Sequence, residues 1–230
     1  AAAAAPPRKV DLRRTWWKVG DQEDTGSCVG WATAEGVVRY HMVKAGKLAQ
    51  NVPLSPRFIW MASKETDQFT TLPETFIEGA GTSLKAAMDI ARKRGVVTNK
   101  LLPFHVATKM YTGDEDAFFA AAARRKISAA APQRRCTAVT NLPPTPATRR
   151  TRLAGNGPIM AGISVDATWD NATATKGLLD EFQPATDRGG HAVAGVRYLA
   201  SRRFIIRNTW GTAWGAKEHG YAPPRDIAGA

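Results

Sequence analysis

An α+β protein, helical in its first half and β-rich in its second, is what this sequence predicts, on three observations. Apolar residues recur at spacings of three and four up to about residue 126, short strand-like runs replace them beyond it, and 230 residues that are 43% hydrophobic can bury a substantial core. Segregated order of this kind favours α+β with two subdomains over an alternating parallel sheet. The chain accordingly divides into an extended arm at 1–19, a helical subdomain at 20–126 and a β-rich subdomain at 127–230.

Residues 1–27 have no helical periodicity and carry Pro6, Pro7, Gly20 and Gly26, which predicts an extended arm leading into a turn. From Cys28 to about Lys44 the residues Trp31, Ala34, Val38 and Met42 share one helical face, and Gly46 supplies the stop. Ser55 as N-cap and Pro56 at the first helical position start a second helix with Phe58, Ile59, Met61 and Ala62 inward. Thr82 or Ser83 caps a third, which carries Leu84, Ala87, Met88 and Ala91 and ends at Gly95. A fourth helix is expected from Asp114 to Lys126. Strand-like runs follow at 136–142, 158–165, 192–199 and 203–207, and Leu142-Pro143-Pro144-Thr145-Pro146 reads as a stiff connection.

Composition narrows the function classes. Only two cysteines, Cys28 and Cys136, are present, so at most one intrachain disulfide exists and a disulfide-stapled scaffold is excluded. Zinc-ligand spacing is absent and no metal is expected. No apolar run approaches the roughly 18 residues of a membrane span, and Ala1 to Ala5 lacks the charged segment of a signal peptide, so a soluble chain without an address is expected. The net charge of +12 is uneven. Between Ala117 and Val165 there is no acidic residue, while Arg124, Arg125, Lys126, Arg134, Arg135, Arg149, Arg150 and Arg152 contribute eight positive charges. This stretch reads either as a dock for an acidic partner or as a solvated basic face. Its scarcity of aromatic residues and the absence of a helix-turn-helix or zinc-finger spacing disfavour nucleic acid.

Chemistry enters at Cys28, which follows the turn Asp24-Thr25-Gly26-Ser27 at the start of a helix. Backbone N–H groups and the helix dipole there favour a thiolate; the alternative is a small buried hydrophobe. A thiolate nucleophile needs a base, and four histidines are available. His41 lies thirteen residues along the same helix, about 20 Å away, and is excluded. His105 and His219 have no evident orienting partner. His191 begins the run Gly190-His191-Ala192-Val193; if that run and Phe204-Ile205-Ile206-Arg207 form a hairpin turning near residues 199–201, His191 and Asn208 meet at its open end. An amide there accepts from one ring nitrogen and leaves the other for the thiol. The alternative is that both residues merely terminate a hairpin.

Taken together, these segments resemble the papain-like cysteine peptidase family (peptidase family C1). Gln22-Glu23-Asp24-Thr25-Gly26-Ser27-Cys28 is similar to its Gln-x5-Cys segment, Gly190-His191-Ala192-Val193 to its base segment, and Asn208-Thr209-Trp210-Gly211-Thr212-Ala213-Trp214-Gly215 to its Asn-Ser-Trp-Gly-x-x-Trp-Gly element. Val10-Asp11-Leu12-Arg13, Leu54-Ser55-Pro56, Asn156-Gly157-Pro158 and Gly220-Tyr221 also fall where similar pieces occur, so the likeness spans about residues 10–222. It implies a helical half bearing the nucleophile helix packed against a β-barrel-like half. It also implies a thiol endopeptidase that needs no cofactor: Cys28 is the nucleophile, His191 the base, Asn208 its orienting partner, and Gln22 an oxyanion donor. Gly79, Ala80 and Gly81 resemble the glycine-rich strand that pairs with substrate backbone, the alternative being a plain turn before the next helix. Gly190 and Trp210 join them as substrate-side residues, and the resemblance has Trp210 shielding the His191–Asn208 bond from water.

The sequence also departs from the family. Thr25 stands where many members carry a disulfide cysteine, no cysteine occurs near Glu78-Gly79-Ala80-Gly81, and Val29 replaces the usual tryptophan after the nucleophile. Cys136, without a companion histidine, reads as a structural thiol. The expected partners are a polypeptide substrate and a propeptide or proteinaceous inhibitor, with a monomer favoured. Either a secreted enzyme that has lost its leader or an effector acting in a cytosol is compatible with so few cysteines. Two other readings stay open: a noncatalytic binding or inhibitor-like protein on the same fold, and a transamidase or deamidase acting on protein side chains.

Overall fold

The strongest local signals in the chain, a hydroxyl N-cap followed by proline and a glycine after a helix, are where its elements begin and end. A computed structural model describes residues 6–67, 81–104, 136, 141–143, 145–179, 181–199, 203–217 and 219–223. They belong to two compact units, one formed by Ala1–Asp21 with Thr140–Ala230 and the other by Gln22–Val139. The expected helix at 114–126 lies outside the described residues. Of the expected strand at 136–142, the described residues 136, 141 and 142 are not strand.

In the unit Gln22–Val139, α1 (Cys28–Thr33) and α2 (Arg39–Lys44) continue one another through a wider π-helical turn at Ala34–Val38, closed by Arg39 N–H donating to Ala34 O. Gly46, at φ 68°, ends α2: its N–H donates to Val43 O and that of Lys47 to Met42 O, the paired bonds of a Schellman cap. Helix α3 (Pro56–Thr66) is capped by Ser55, whose buried hydroxyl accepts from Phe58 N and donates to Leu102 O at 2.8 Å. Helix α4 (Leu84–Lys93) is capped by Ser83 rather than Thr82, and the buried Asp67 carboxylate binds both Thr82 Oγ1 and Ser83 N.

The core of this unit is the packing of α1 and the π-helical turn on α3, with Ala34, Val38, Ile59 and Trp60 almost wholly enclosed. A buried ion pair crosses it. Glu35 accepts from Arg39 at 2.5 Å and from Leu54 N at 2.6 Å, and Arg39 donates to Gln50 O at 2.8 Å. These extra bonds to backbone offset the desolvation that a bare buried pair would suffer.

The other unit is an antiparallel sheet ordered β1-β3-β4-β5 with β2 also on β3. Strand β3 (Gly190–Tyr198) is its spine: β2 (Ile159–Ser164) and β1 (Val10–Asp11) share one of its edges and β4 (Phe204–Arg207) takes the other, followed by β5 (His219–Ala222). Because β3 is buried from His191 to Val196, its sequence runs nearly continuously apolar instead of alternating. The N-terminal arm is tied down here. Tyr198 Oη donates to Pro7 O at 2.6 Å, and the buried Arg207 guanidinium stacks over Trp17 and donates to Lys18 O.

One helix was not among the expected elements: directly after the proline-rich connection at 142–146 the chain forms α5 (Pro146–Gly155), capped by Thr145 with Pro146 in its first turn. Within it Arg149 is buried and the Arg150 guanidinium covers the Tyr198 ring, so these two arginines do not project as a free basic face. The rest of the basic stretch, apart from Arg152, lies outside the described residues.

Candidate active site

Two clusters of chemically capable side chains emerge, one in each unit. In the sheet unit, the β3–β4 ladder closes with Ala194 opposite Arg207, and Asn208 follows directly at the open end of the hairpin. His191 lies on β3 opposite Ile163 of β2. The hairpin therefore joins the two residues that its spacing pointed to: His191 Nε2–H donates to Asn208 Oδ1 at 2.7 Å, which leaves Nδ1 for proton exchange. Asn208 is fully buried and His191 is 6% exposed. Burial pushes the imidazole down to about 4, and the bond to Asn208 offsets this only in part. The carboxylates close by in the chain are otherwise engaged: Asp166 with Thr168 and Gln183, Asp170 with Arg188, and Asp187 with the Gly189 N–H.

Aromatic rings wall this pair. Trp210 lies 5.0 Å from the imidazole at 34°, and Trp169 stands nearly perpendicular to it at 5.6 Å and 85°. Trp214 stacks on Trp169 at 5.3 Å and donates from Nε1 to the Trp169 carbonyl. Trp169 escaped sequence reasoning. It ends a short 3-10 turn, Ala167–Trp169, that follows β2 and is capped by Asp166. Its one signal was a tryptophan among Thr, Asn and Asp residues, a place where a large apolar ring is usually buried for a reason.

The glycines of the Asn208–Gly215 segment are explained by backbone geometry. Gly211 and Gly215 sit at φ 76° and 64°, and a Cβ there would lie 2.7 Å from Asp21 Oδ2 and 2.6 Å from His219 O. Only glycine keeps this turn tight enough to present both tryptophans on one wall.

In the helical unit, Cys28 is the first residue of α1 and is half-buried. The helix itself supplies no acceptor for the first N–H groups of its opening turn, which is the electrostatic setting that favours a thiolate. Six residues earlier Gln22 is buried, and its Nε2–H donates to Thr25 O at 2.9 Å. Cys136 differs: burial pushes its thiol up to about 11, and its N–H caps α4 by donating to Ala91 O. No disulfide joins the two cysteines.

Of the substrate-side residues, Gly79 and Ala80 lie outside the described residues. Gly81 is exposed beside the turn, its Cβ direction 3.6 Å from Gly26 O. Gly190 is exposed at the start of β3 and Trp210 is half-buried. Among the described residues no group of histidine, cysteine and carboxylate side chains is arranged to hold a metal, and no helix is long and apolar enough to cross a membrane.

The model of the papain family cysteine proteases matches residues 6–224. Among solved structures, xylellain, a cysteine protease from Xylella fastidiosa, superposes with a TM-score of 0.80 at 22% identity, over 97% of this chain and 82% of that one. A cysteine protease of Carica candamarcensis solved in complex with E-64 gives 0.59 at 18% identity, over 97% of this chain and 94% of that one. At these identities the two structures speak for the fold. A search of curated proteins returns no match.

Proposed function

Because the chain belongs to the papain family of cysteine proteases, we propose that it is an endopeptidase that cleaves polypeptides through a thioester on Cys28. The observation that carries it is the His191–Asn208 bond inside its aromatic wall, because it leaves one defined nitrogen, Nδ1, to exchange protons with a thiol.

The thiolate of Cys28 attacks the scissile carbonyl carbon, a C–S bond forms, and the displaced electron pair resides on oxygen. Gln22 Nε2–H and the Cys28 N–H hold that oxyanion. Its collapse breaks the C–N bond, and the amine leaves with the proton from His191 Nδ1. Water then attacks the thioester while Nδ1 takes its proton, and a second collapse returns Cys28. Burial keeps an isolated imidazolium unfavourable at this position, so the proton on His191 and the negative charge on Cys28 come and go together as a coupled pair. A bell-shaped pH profile of kcat/KM is expected, with its acid limb set by loss of the thiolate and its alkaline limb by loss of the imidazolium proton. Gly81, Gly190 and Trp210, with Gly79 and Ala80, are assigned to the substrate side.

A diverse peptide library read by mass spectrometry tests this assignment. New peptide termini are expected from the wild type, with kcat/KM lower by at least about 10⁴-fold in Cys28→Ala. Asn208→Ala, which forfeits a buried bond to a charged imidazole, is expected to lose about 10- to 100-fold. Side-chain mass changes without new termini would point to transamidation or deamidation. No processing of any peptide, with partner binding unchanged in Cys28→Ala, would point to a noncatalytic role.

A further inference from the structure

The turn that carries Gln22 is closed by hydroxyl groups. Resting on the catalytic assignment above, we propose that Thr25 is a positioning residue for the oxyanion donor Gln22, through a one-way hydroxyl chain that runs from Ser27 through Thr25 to the Gln22 carbonyl.

Three contacts define the chain. Thr25 Oγ1 donates to Gln22 O at 2.6 Å, Gln22 Nε2–H donates to Thr25 O at 2.9 Å, and Thr25 Oγ1 lies 2.6 Å from Ser27 Oγ. A threonine hydroxyl has a single proton. With that proton on the Gln22 carbonyl, Thr25 Oγ1 accepts from Ser27, and the direction of the whole chain is set. The two bonds between residues 22 and 25 are reciprocal, one from side chain to main chain in each direction, so they fix the backbone of the turn and the plane of the amide together. One amide N–H is committed to Thr25 O, and the planarity of the group then fixes where the second N–H points. Ser27 is fully buried, which keeps water from competing for its end of the chain. Glu23, inside the ring, adopts φ 53°, a left-handed conformation that costs free energy in a non-glycine residue and persists only where its surroundings hold it.

The test compares two reactions at Cys28 that differ in their need for an oxyanion donor. A peptide aldehyde adds the thiol across its carbonyl and builds a tetrahedral adduct with oxygen in the donor site. Iodoacetamide forms a C–S bond with loss of iodide and builds no oxyanion. In Thr25→Val, which is nearly isosteric but lacks the hydroxyl, aldehyde affinity and kcat are each expected to fall about tenfold, the equivalent of one net hydrogen bond. KM and the alkylation rate are expected to stay within about twofold of wild type. Thr25→Ser is expected to restore most of the loss, and Ser27→Ala to show the same selectivity at smaller size. Equal loss in both reactions, no loss in either, or no rescue by Thr25→Ser would overturn the proposal. Should Thr25→Val not fold, Ser27→Ala with unchanged aldehyde affinity would overturn it instead. Failure of the catalytic assignment has a separate signature, retained peptidase activity in Cys28→Ala.

Discussion

Gly30→Ala, two residues beyond Cys28, sets two physical effects against each other. Alanine is the better helix former by about 1 kcal/mol, so propensity alone predicts a gain. Packing predicts the reverse. A Cβ on Gly30 would stand 2.3 Å from Pro56 O and 2.9 Å from Trp60 Cβ, both on α3. Since C···O contacts settle at about 3.3 Å, α1 and α3 must separate by about 1 Å, and neither obstacle is the movable tip of a side chain. Overpacking of this severity costs about 3 kcal/mol, which leaves a net loss of about 2 kcal/mol and lowers Tm by roughly 4 to 8 °C for a chain of this length. Gly155→Ala at the end of α5 is the control, because nothing lies within 4 Å of its Cβ direction, and it should raise Tm by about 2 °C. Thermal unfolding followed by circular dichroism reads both. A Tm for Gly30→Ala equal to or above wild type would mean instead that the crossing of α1 on α3 has slack and that the close approach at Gly30 costs nothing.

Three further outcomes are expected. With its thiol pushed up to about 11, Cys136 holds almost no thiolate at neutral pH, so iodoacetamide at pH 6 should label Cys28 alone; comparable rates at both cysteines by peptide mapping would contradict this. Trp169→Ala should lower kcat by about tenfold with KM little changed, through loss of ring contacts to His191 and to the Trp210–Trp214 wall, while Trp169→Phe retains most activity; a fall in Tm without a change in kcat would deny Trp169 its part in holding the imidazole. Burial holds the His219 imidazole down at about 4, below its ordinary 6.5, so the unfolded chain binds the extra proton between those values. The associated stability is fully present above pH 6.5 and is lost as pH falls toward 4, on the order of 3 kcal/mol; in Cys28→Ala, His191 adds a loss of similar size and should titrate near 4 by NMR, whereas titration of either histidine near 6.5 would show that water reaches its ring.

Local chemistry decided which elements of this protein were legible in its sequence. Ser55-Pro56, Ser83 and Gly46 act through hydrogen bonds a few residues away, and so their helices were predicted close to their bounds. Helix α5 has the same kind of start, Thr145-Pro146, but the face it buries is Arg149 with Leu153, and a charged residue on the core side erases the apolar period that announces a helix. The short β5 was equally hidden, because His219-Gly220-Tyr221-Ala222 has little strand propensity and is a strand through its pairing with β4.

The same division runs through the candidate site. Sequence alone determined the α+β class, the family and the hairpin that joins His191 to Asn208, because cap residues, obligatory glycines and strand spacing are short-range constraints. Tertiary structure alone decided the π turn around the buried Glu35–Arg39 pair, the placing of Trp169 against His191, and the closing of the Gln22 turn by the Thr25 hydroxyl. The first two join segments far apart in the chain, and the third depends on a turn conformation with Glu23 in left-handed backbone, which no residue type in that turn encodes by itself.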